Sequence, residues 1–213
     1  MDITFISDTH SHHELMTQDL SGGPILVHCG DVSNRGRESE VIEFLEWFHS
    51  LPYTHKIFIA GNHDFIFQKT NNIVIPDGIH YLFDSSVIIE GIKFYGTPWQ
   101  PWFYDWAFNL PVGGNALREK WAAIPNNTDI VIVHGPPFGI LDTVARGGVH
   151  VGCRLLAERL LEIKPNICAF GHIHEAFGTT TVDKTTYINA SMLDLRYEYT
   201  NKPMIIKYET TFS

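Results

Sequence analysis

The chain is poor in cysteine and in basic charge, and it lacks any long apolar run. Its three cysteines, Cys29, Cys153 and Cys168, are an odd number at no metal-ligand spacing. That excludes a disulfide framework and a thiolate metal site, and it reads as free thiols of a reducing, cytoplasmic compartment. No stretch of about 18 apolar residues occurs, so no membrane span is expected. The N-terminus has no basic segment followed by an apolar one, which argues against a secretory signal. Fifteen Lys and Arg face 24 Asp and Glu, a formal charge of -9. So acidic a chain is a poor partner for long nucleic acids, and any phosphate substrate must be attracted locally, for example by metal ions. Repeats, linkers and low-complexity stretches are also lacking. With 213 residues and 44% hydrophobic content, residues 1–213 read as a single globular domain.

What the chain has is histidine, 12 in all, most of them at the ends of apolar runs. Residues 2–7 form a short strand that stops at Asp8-Thr9-His10. A weak helix is expected over 14–20. A second strand over 24–28 ends at Gly30-Asp31. Helical spacing of Val41, Phe44, Leu45 and Phe48 predicts a helix over 38–50, stopped by Pro52. A third strand over 56–60 ends at Gly61-Asn62-His63-Asp64. This βαβαβ order implies a mainly parallel sheet with helices packed on it. Strands are expected over 79–83, 86–90 and 92–95. The aromatic-rich segment 97–114 reads as an ordered loop lying over the protein. Helices over 115–123 and 153–163 flank a strand over 129–133 that ends at His134 and a long loop over 138–152. The strand over 166–170 ends at Gly171-His172-Ile173-His174, and runs over 179–182, 186–189 and 204–208 are expected to finish a second sheet.

Five strand-like runs thus stop at Gly, Asp, Asn or His clusters. In α/β sheets ligands bind outside the carboxyl ends of strands, so these five ends should converge on one site. Asp31 is the candidate shared carboxylate, with Asp8, His10, Asn62, His134, His172 and His174 around it. Oxygen and nitrogen donors without thiolate suit a pair of divalent metal ions: Mn, or Fe, Zn, Ni, Co or Mg. Two such ions neutralise phosphate oxygens, lower the pKa of a bound water and set up in-line attack. Each motif alone is ambiguous, since Asp-x-His or Gly-Asn-His-Asp can be a plain turn. The weight lies in all five occurring in order.

Asp8-x-His10, Gly30-Asp31, Gly61-Asn62-His63-Asp64, His134-Gly135 and Gly171-His172-x-His174 resemble the calcineurin-like metallophosphoesterases in order and spacing. Longer matches, including Leu51-Pro52-Tyr53, Trp99-Gln100-Pro101, Val151-Gly152-Cys153 and Tyr187-Ile188-Asn189-Ala190-Ser191, are similar to its metallophosphoesterase domain-containing branch, related to class III cyclic-nucleotide phosphodiesterases. The resemblance covers nearly the whole chain. It implies a four-layer αββα sandwich, with Asp8, His10, Asp31 and His174 on one metal and Asp31, Asn62, His134 and His172 on the other. It also implies that His63 is not a ligand but protonates or stabilises the leaving oxygen. Some animal members of the branch carry Gly where this chain has His172. Asn34 stands where protein Ser/Thr phosphatases have the Asp that orients this histidine, leaving Asp64 as a candidate for that role.

The resulting expectation is an enzyme that hydrolyses small phosphodiesters, 2',3'- or 3',5'-cyclic nucleotides among them, by attack of a metal-bridging hydroxide. A phosphomonoesterase is the alternative, and a catalytically silent protein-binding scaffold a third reading. Arg35, Arg146 and His150 are candidate substrate contacts. The aromatic segment raises a homodimer contact as an option. His28 and Cys29 read as core residues; His12, His13 and Arg37 read as solvated.

Overall fold

The computed structural model describes residues 1–70 and 72–209. Its first sheet starts with β1 (Asp2–Ile6), β2 (Gly23–His28) and β3 (Tyr53–Phe58), paired in parallel. Between the last two lies α1 (Glu38–Ser50), the helix that the apolar spacing predicts. Glu40 caps its start, accepting hydrogen bonds from the backbone N–H groups of Arg35 and Arg37 at 3.0 Å each. Residues 14–20 are no α-helix: His13–Asp19 winds as a 3₁₀ segment. A short α2 (Phe65–Lys69), with no sequence signal of its own, follows the third strand's loop, and β4 (Ile79–Tyr81) completes the parallel run.

The second sheet opens with the hairpin β5 (Ser85–Ile89) and β6 (Ile92–Thr97), turning at Glu90-Gly91. The aromatic segment then forms a two-rung parallel pair, β7 (Gln100–Pro101) and β8 (Asn109–Leu110). Next come α3 (Asn115–Ala122), β9 (Ile130–Val133), the small hairpin β10 (Thr143–Val144) and β11 (Val149–His150), α4 (Arg154–Ile163) and β12 (Ile167–Phe170). The chain closes with β13 (Gly178–Val182), β14 (Thr185–Asn189) and β15 (Met204–Lys207). The second sheet runs β13-β14-β12-β9-β6-β5.

β15 corrects the expectation that 204–208 belongs to that sheet. It pairs antiparallel with β1, giving a first sheet ordered β15-β1-β2-β3-β4. Its own alternation explains the choice of face. Met204 and Ile206 turn toward the space between the sheets, whereas Ile205 is exposed.

Period-two alternation builds the four layers. Ile3, Phe5, Ile25, Val27, Ile57 and Ile59 of the first sheet meet Phe94, Ile130, Ile132, Ile167, Ala169 and Ile188 of the second. The intervening residues face outward. Leu26 and Phe58 pack on Val41, Phe44 and Phe48 of α1. Val131, Val133, Cys168 and Phe170 pack on Leu117, Trp121, Leu156 and Leu160 of α3 and α4. The result is the expected αββα sandwich. Cys29, Cys153 and Cys168 are buried free thiols. No helix among the described residues is long and apolar enough to cross a membrane.

Phe44 anchors the α1 layer. It is fully buried and lies 5.0 Å from the Phe48 ring, 5.6 Å from Phe58 and 5.1 Å from His28. Phe44→Ala should cost about 3–5 kcal/mol of unfolding free energy through the cavity it leaves. A urea midpoint indistinguishable from that of the parent protein would contradict this packing.

Candidate metal centre

The parallel strands β1, β2, β3, β9 and β12 deliver their carboxyl ends to one edge of the sandwich, as expected from the sequence. The turns that follow are tight. Asp8 (φ 55°), His10 (φ 42°), Asp31 (φ 57°) and His172 (φ 69°) all adopt left-handed backbone. Non-glycine residues rarely do so, and here the conformation turns each side chain back over its strand end. Gly30 (φ 99°) belongs to the same set: a Cβ there would lie 2.7 Å from His134 Nδ1 and 2.9 Å from the Ala60 carbonyl. At Gly171 a Cβ would collide with the Asp8 carboxylate.

The side chains converge in three groups whose donor atoms lie within 4.8 Å of one another: Asp8, His10 and His174; Asp31, His134 and His172; and His10, Asp31 and His63. Asp31 thus sits in two of them. Its Oδ2 lies 3.2 Å from His134 Nε2 and 3.7 Å from His10 Nε2. Asp8 Oδ1 lies 3.5 Å from His174 Nε2 and 3.9 Å from His10 Nε2. Asn62 Oδ1 is 2.9 Å from His134 Nε2. All seven expected ligands and His63 therefore meet at one place.

Two of the histidines are aimed from behind. His134 Nδ1 bonds the Cys29 carbonyl at 2.9 Å and His174 Nδ1 the Asp194 carbonyl at 2.9 Å. A carbonyl at Nδ1 fixes the proton there and frees the Nε2 lone pair for a cation. The carboxylates are braced likewise. Asp8 Oδ2 accepts from Ser191 Oγ and from the His172 N–H, both at 2.9 Å. The Asn-Ala-Ser run at 189–191, legible only as a family marker, is thus the brace for Asp8, and the amide of Asn189 is tied to the Ile173 carbonyl at 2.8 Å.

Electrostatics show what the site demands. Asp8 and Asp31 are buried, which opposes their charge, yet both are held well below the usual carboxylate range by the surrounding histidines, His174 foremost for Asp8 and His134 for Asp31. Burial lowers His10 to about 4 and His172 to about 3. Burial also opposes charge on His134 and His174, but Asp31 and Asp8 outweigh it and raise both to about 9. Two dry carboxylates that draw protons onto their neighbours, among oxygen and imidazole donors only, form a donor set that fits divalent cations.

His63 differs from the expectation. Its Nδ1 bonds the backbone carbonyl of Asn34 at 2.6 Å, so the main chain of Asn34, not the Asp64 carboxylate, orients it. Asp64 instead locks the loops together. It accepts from the N–H groups of Gly61 (2.8 Å), Ser33 (2.9 Å) and Val32 (3.1 Å) and from Ser33 Oγ (2.6 Å). Burial and the nearby Asp31 push its carboxyl up to about 6.

A cleft of about 230 Å³ opens over the centre, lined by Phe103, Trp106, Glu175, Leu195 and Tyr197 beside the histidines. Trp106 stacks on His63, Phe103 packs against His172, and Tyr197 lies against His10. Arg35 and Arg146 are exposed and outside this lining. His150 bonds the buried Asp142 carboxylate at 2.6 Å in the β10–β11 hairpin, also outside it. His13 is buried against Trp47 and Phe44 rather than solvated, because the 3₁₀ segment lies on α1; His12 is exposed. His28 is a core residue as expected, and its ring also ties Thr9 to Gly30.

Buried oxygen and imidazole donors at the converging strand ends of an αββα sandwich define a metallohydrolase. The family model for calcineurin-like phosphoesterases matches residues 1–176. Metallophosphoesterase domain-containing protein 1 of Homo sapiens and its Mus musculus counterpart are each 41% identical over 231 aligned residues, covering 96% of this chain and 70% of theirs. The crystal structure of TT1561 of Thermus thermophilus shares the fold, with a TM-score of 0.60 at 14% identity over 92% of this chain and 94% of that one. The chain belongs to the calcineurin-like phosphoesterase family, a family of metal-dependent phosphoester hydrolases.

Asp64→Ala would leave three buried N–H groups without an acceptor, and a loss of about 3 kcal/mol or more of unfolding free energy is expected. Asp64→Asn, which keeps the shape and one acceptor oxygen, should cost less. A denaturant midpoint that does not move in Asp64→Ala would contradict the locking role.

Proposed function

We propose that this protein is a dinuclear, Mn-dependent phosphodiesterase acting on small diesters with a planar, uncharged flank, cyclic nucleotides among them. The observation that carries the reading is the cleft: no Lys or Arg is among its described lining residues, its walls are aromatic, and the one additional charge is the Glu175 carboxylate. A phosphomonoester is largely a dianion at neutral pH, since its second pKa is about 6. A diester is a monoanion. A cleft without Lys or Arg suits the lesser charge, and aromatic walls suit a flat ring.

In this reading Asp8, His10, Asp31 and His174 hold one cation, and Asp31, Asn62, His134 and His172 the other. Bound there, divalent ions neutralise the phosphate oxygens and acidify a water. The protein's own groups do the rest. Carbonyl-anchored histidines and braced carboxylates hold the donors still, so little reorganisation is needed on binding. His63 Nδ1 is engaged with the Asn34 carbonyl, which leaves Nε2 as its nitrogen for the leaving oxygen. Because Nδ1 keeps its own proton on that carbonyl, Nε2 acts as the acid from the imidazolium form, which takes its second proton from solvent; that proton neutralises the alkoxide or phenolate as it departs and leaves His63 neutral. Arg35, Arg146 and His150 lie outside the cleft lining, and this reading assigns them no role in the step.

The family's name leaves the ester class open, and a paired assay decides it. Mn²⁺-loaded protein should hydrolyse bis(p-nitrophenyl) phosphate well ahead of p-nitrophenyl phosphate. The reverse preference would replace this reading with a phosphomonoesterase. His63→Ala should retain its metal and lose about 10²–10⁴-fold in kcat on diesters with poor leaving groups. Loss of metal from that variant would make His63 a ligand instead.

A further inference from the structure

We infer that Trp106 is a positioning residue for His63: its indole covers one face of the imidazole and fixes the direction in which Nε2 enters the cleft. The inference rests on the hydrolytic role of His63 proposed above.

Three contacts hold the His63 ring. Nδ1 bonds the Asn34 carbonyl at 2.6 Å along one edge. The His10 ring stands edge-on at 4.5 Å with an interplanar angle of 78°. The Trp106 indole lies nearly parallel, 4.3 Å between centroids at 26°. The single hydrogen bond keeps a proton on Nδ1, but the torsion that turns an imidazole about its Cβ–Cγ bond is broad and soft. A flat ring stacked on its face removes that freedom, because any turn of the imidazole drives it into the indole.

The indole is itself fastened to the loop it restrains. The N–H of Ala107, next to Trp106, bonds the carbonyl of Asn62, next to His63, at 3.1 Å. Phe108 is fully buried, and its N–H bonds Gln68 Oε1 at 3.2 Å. The Asn34 side is equally tight: a Cβ at Gly36 (φ 64°) would lie 2.7 Å from the His63 carbonyl. Trp106 and the Asn34 carbonyl are therefore fixed jaws that close on His63 from two loops. Burial does not account for the indole's place. Its neighbour Phe108 is fully buried, whereas Trp106 is only half-buried and lines the cleft.

The test is a double-mutant cycle on the Mn²⁺-loaded protein with aryl phosphodiesters that differ only in ring substituents. Trp106→Ala should lower kcat about 10- to 100-fold on poor leaving groups, the cost typical of a misplaced catalytic group. The loss should shrink as the leaving group improves and needs less protonation. Metal content should hold within about twofold, the loss should fall more on kcat than on KM because the same indole also forms part of the cleft wall, and Trp106→Phe, which keeps a stacked ring, should recover most of the rate. In the His63→Ala background, Trp106→Ala should have almost no further effect, because the group it positions is gone. An equal loss in both backgrounds, or a change confined to KM, would overturn the inference while leaving His63's role intact. A His63→Ala protein as active as its parent on poor leaving groups would overturn the role of His63, and this inference with it. Thermal melts of each variant separate these outcomes from unfolding, and the Trp106→Phe protein carries the test should Trp106→Ala fail to fold.

Discussion

Two carboxylates buried together among histidines, with no Lys or Arg beside them among the described contacts, are the constraint on which this structure depends. Asp8 is fully buried and Asp31 nearly so, and neither has a Lys or Arg partner among the described contacts. Isolated charge in a dry interior is costly, so it must be compensated by hydrogen bonds, by protonated neighbours or by cations. The first two appear in the surrounding design. Ser191 and the His172 N–H serve Asp8, the His63 N–H serves Asp31, and the imidazoles of His134 and His174 are drawn toward the charged form. A divalent ion answers the same demand with more charge in less space.

The sandwich exists, from the site's point of view, to hold five strand ends at one edge. The inter-sheet layer is built mainly from Ile, Val, Phe and Ala, which makes it a stiff base. The turns beyond it trade conformational comfort for aim, with left-handed backbone at Asp8, His10, Asp31 and His172. Asp64 then knots the Asp31 and Asn62 loops into one body.

Much of this was readable from the sequence, for reasons that can be named. The period of Val41, Phe44, Leu45 and Phe48 marks α1, and apolar runs stopped by Gly, Asp and His mark the strands and the ligand set together. What was hidden lies in tertiary contacts with no local signature. β15 joins the first sheet because β1 offers an open edge, and nothing within 204–208 names its partner. His13 is buried because a 3₁₀ segment settles on Trp47 and Phe44, not because of its own neighbours in sequence. The backbone carbonyl of Asn34 orients His63, and a carbonyl carries no residue signal. Asp64 stood beside His63 in sequence, yet its oxygens face the opposite loop. The aromatic segment was legible as a cover, but only the fold shows that Trp106 lies on His63.

The central claim, a pair of cations sharing the Asp31 carboxylate, is tested most directly by counting metal. Protein freed of metal, reloaded with Mn²⁺ and desalted should carry two equivalents per chain by mass spectrometry of its metal content. Asp31→Ala should lose both, since each ion would lack the shared ligand, whereas Asp8→Ala should weaken one ion more than the other. An Asp31→Ala protein that still carries two tightly held ions would contradict the account.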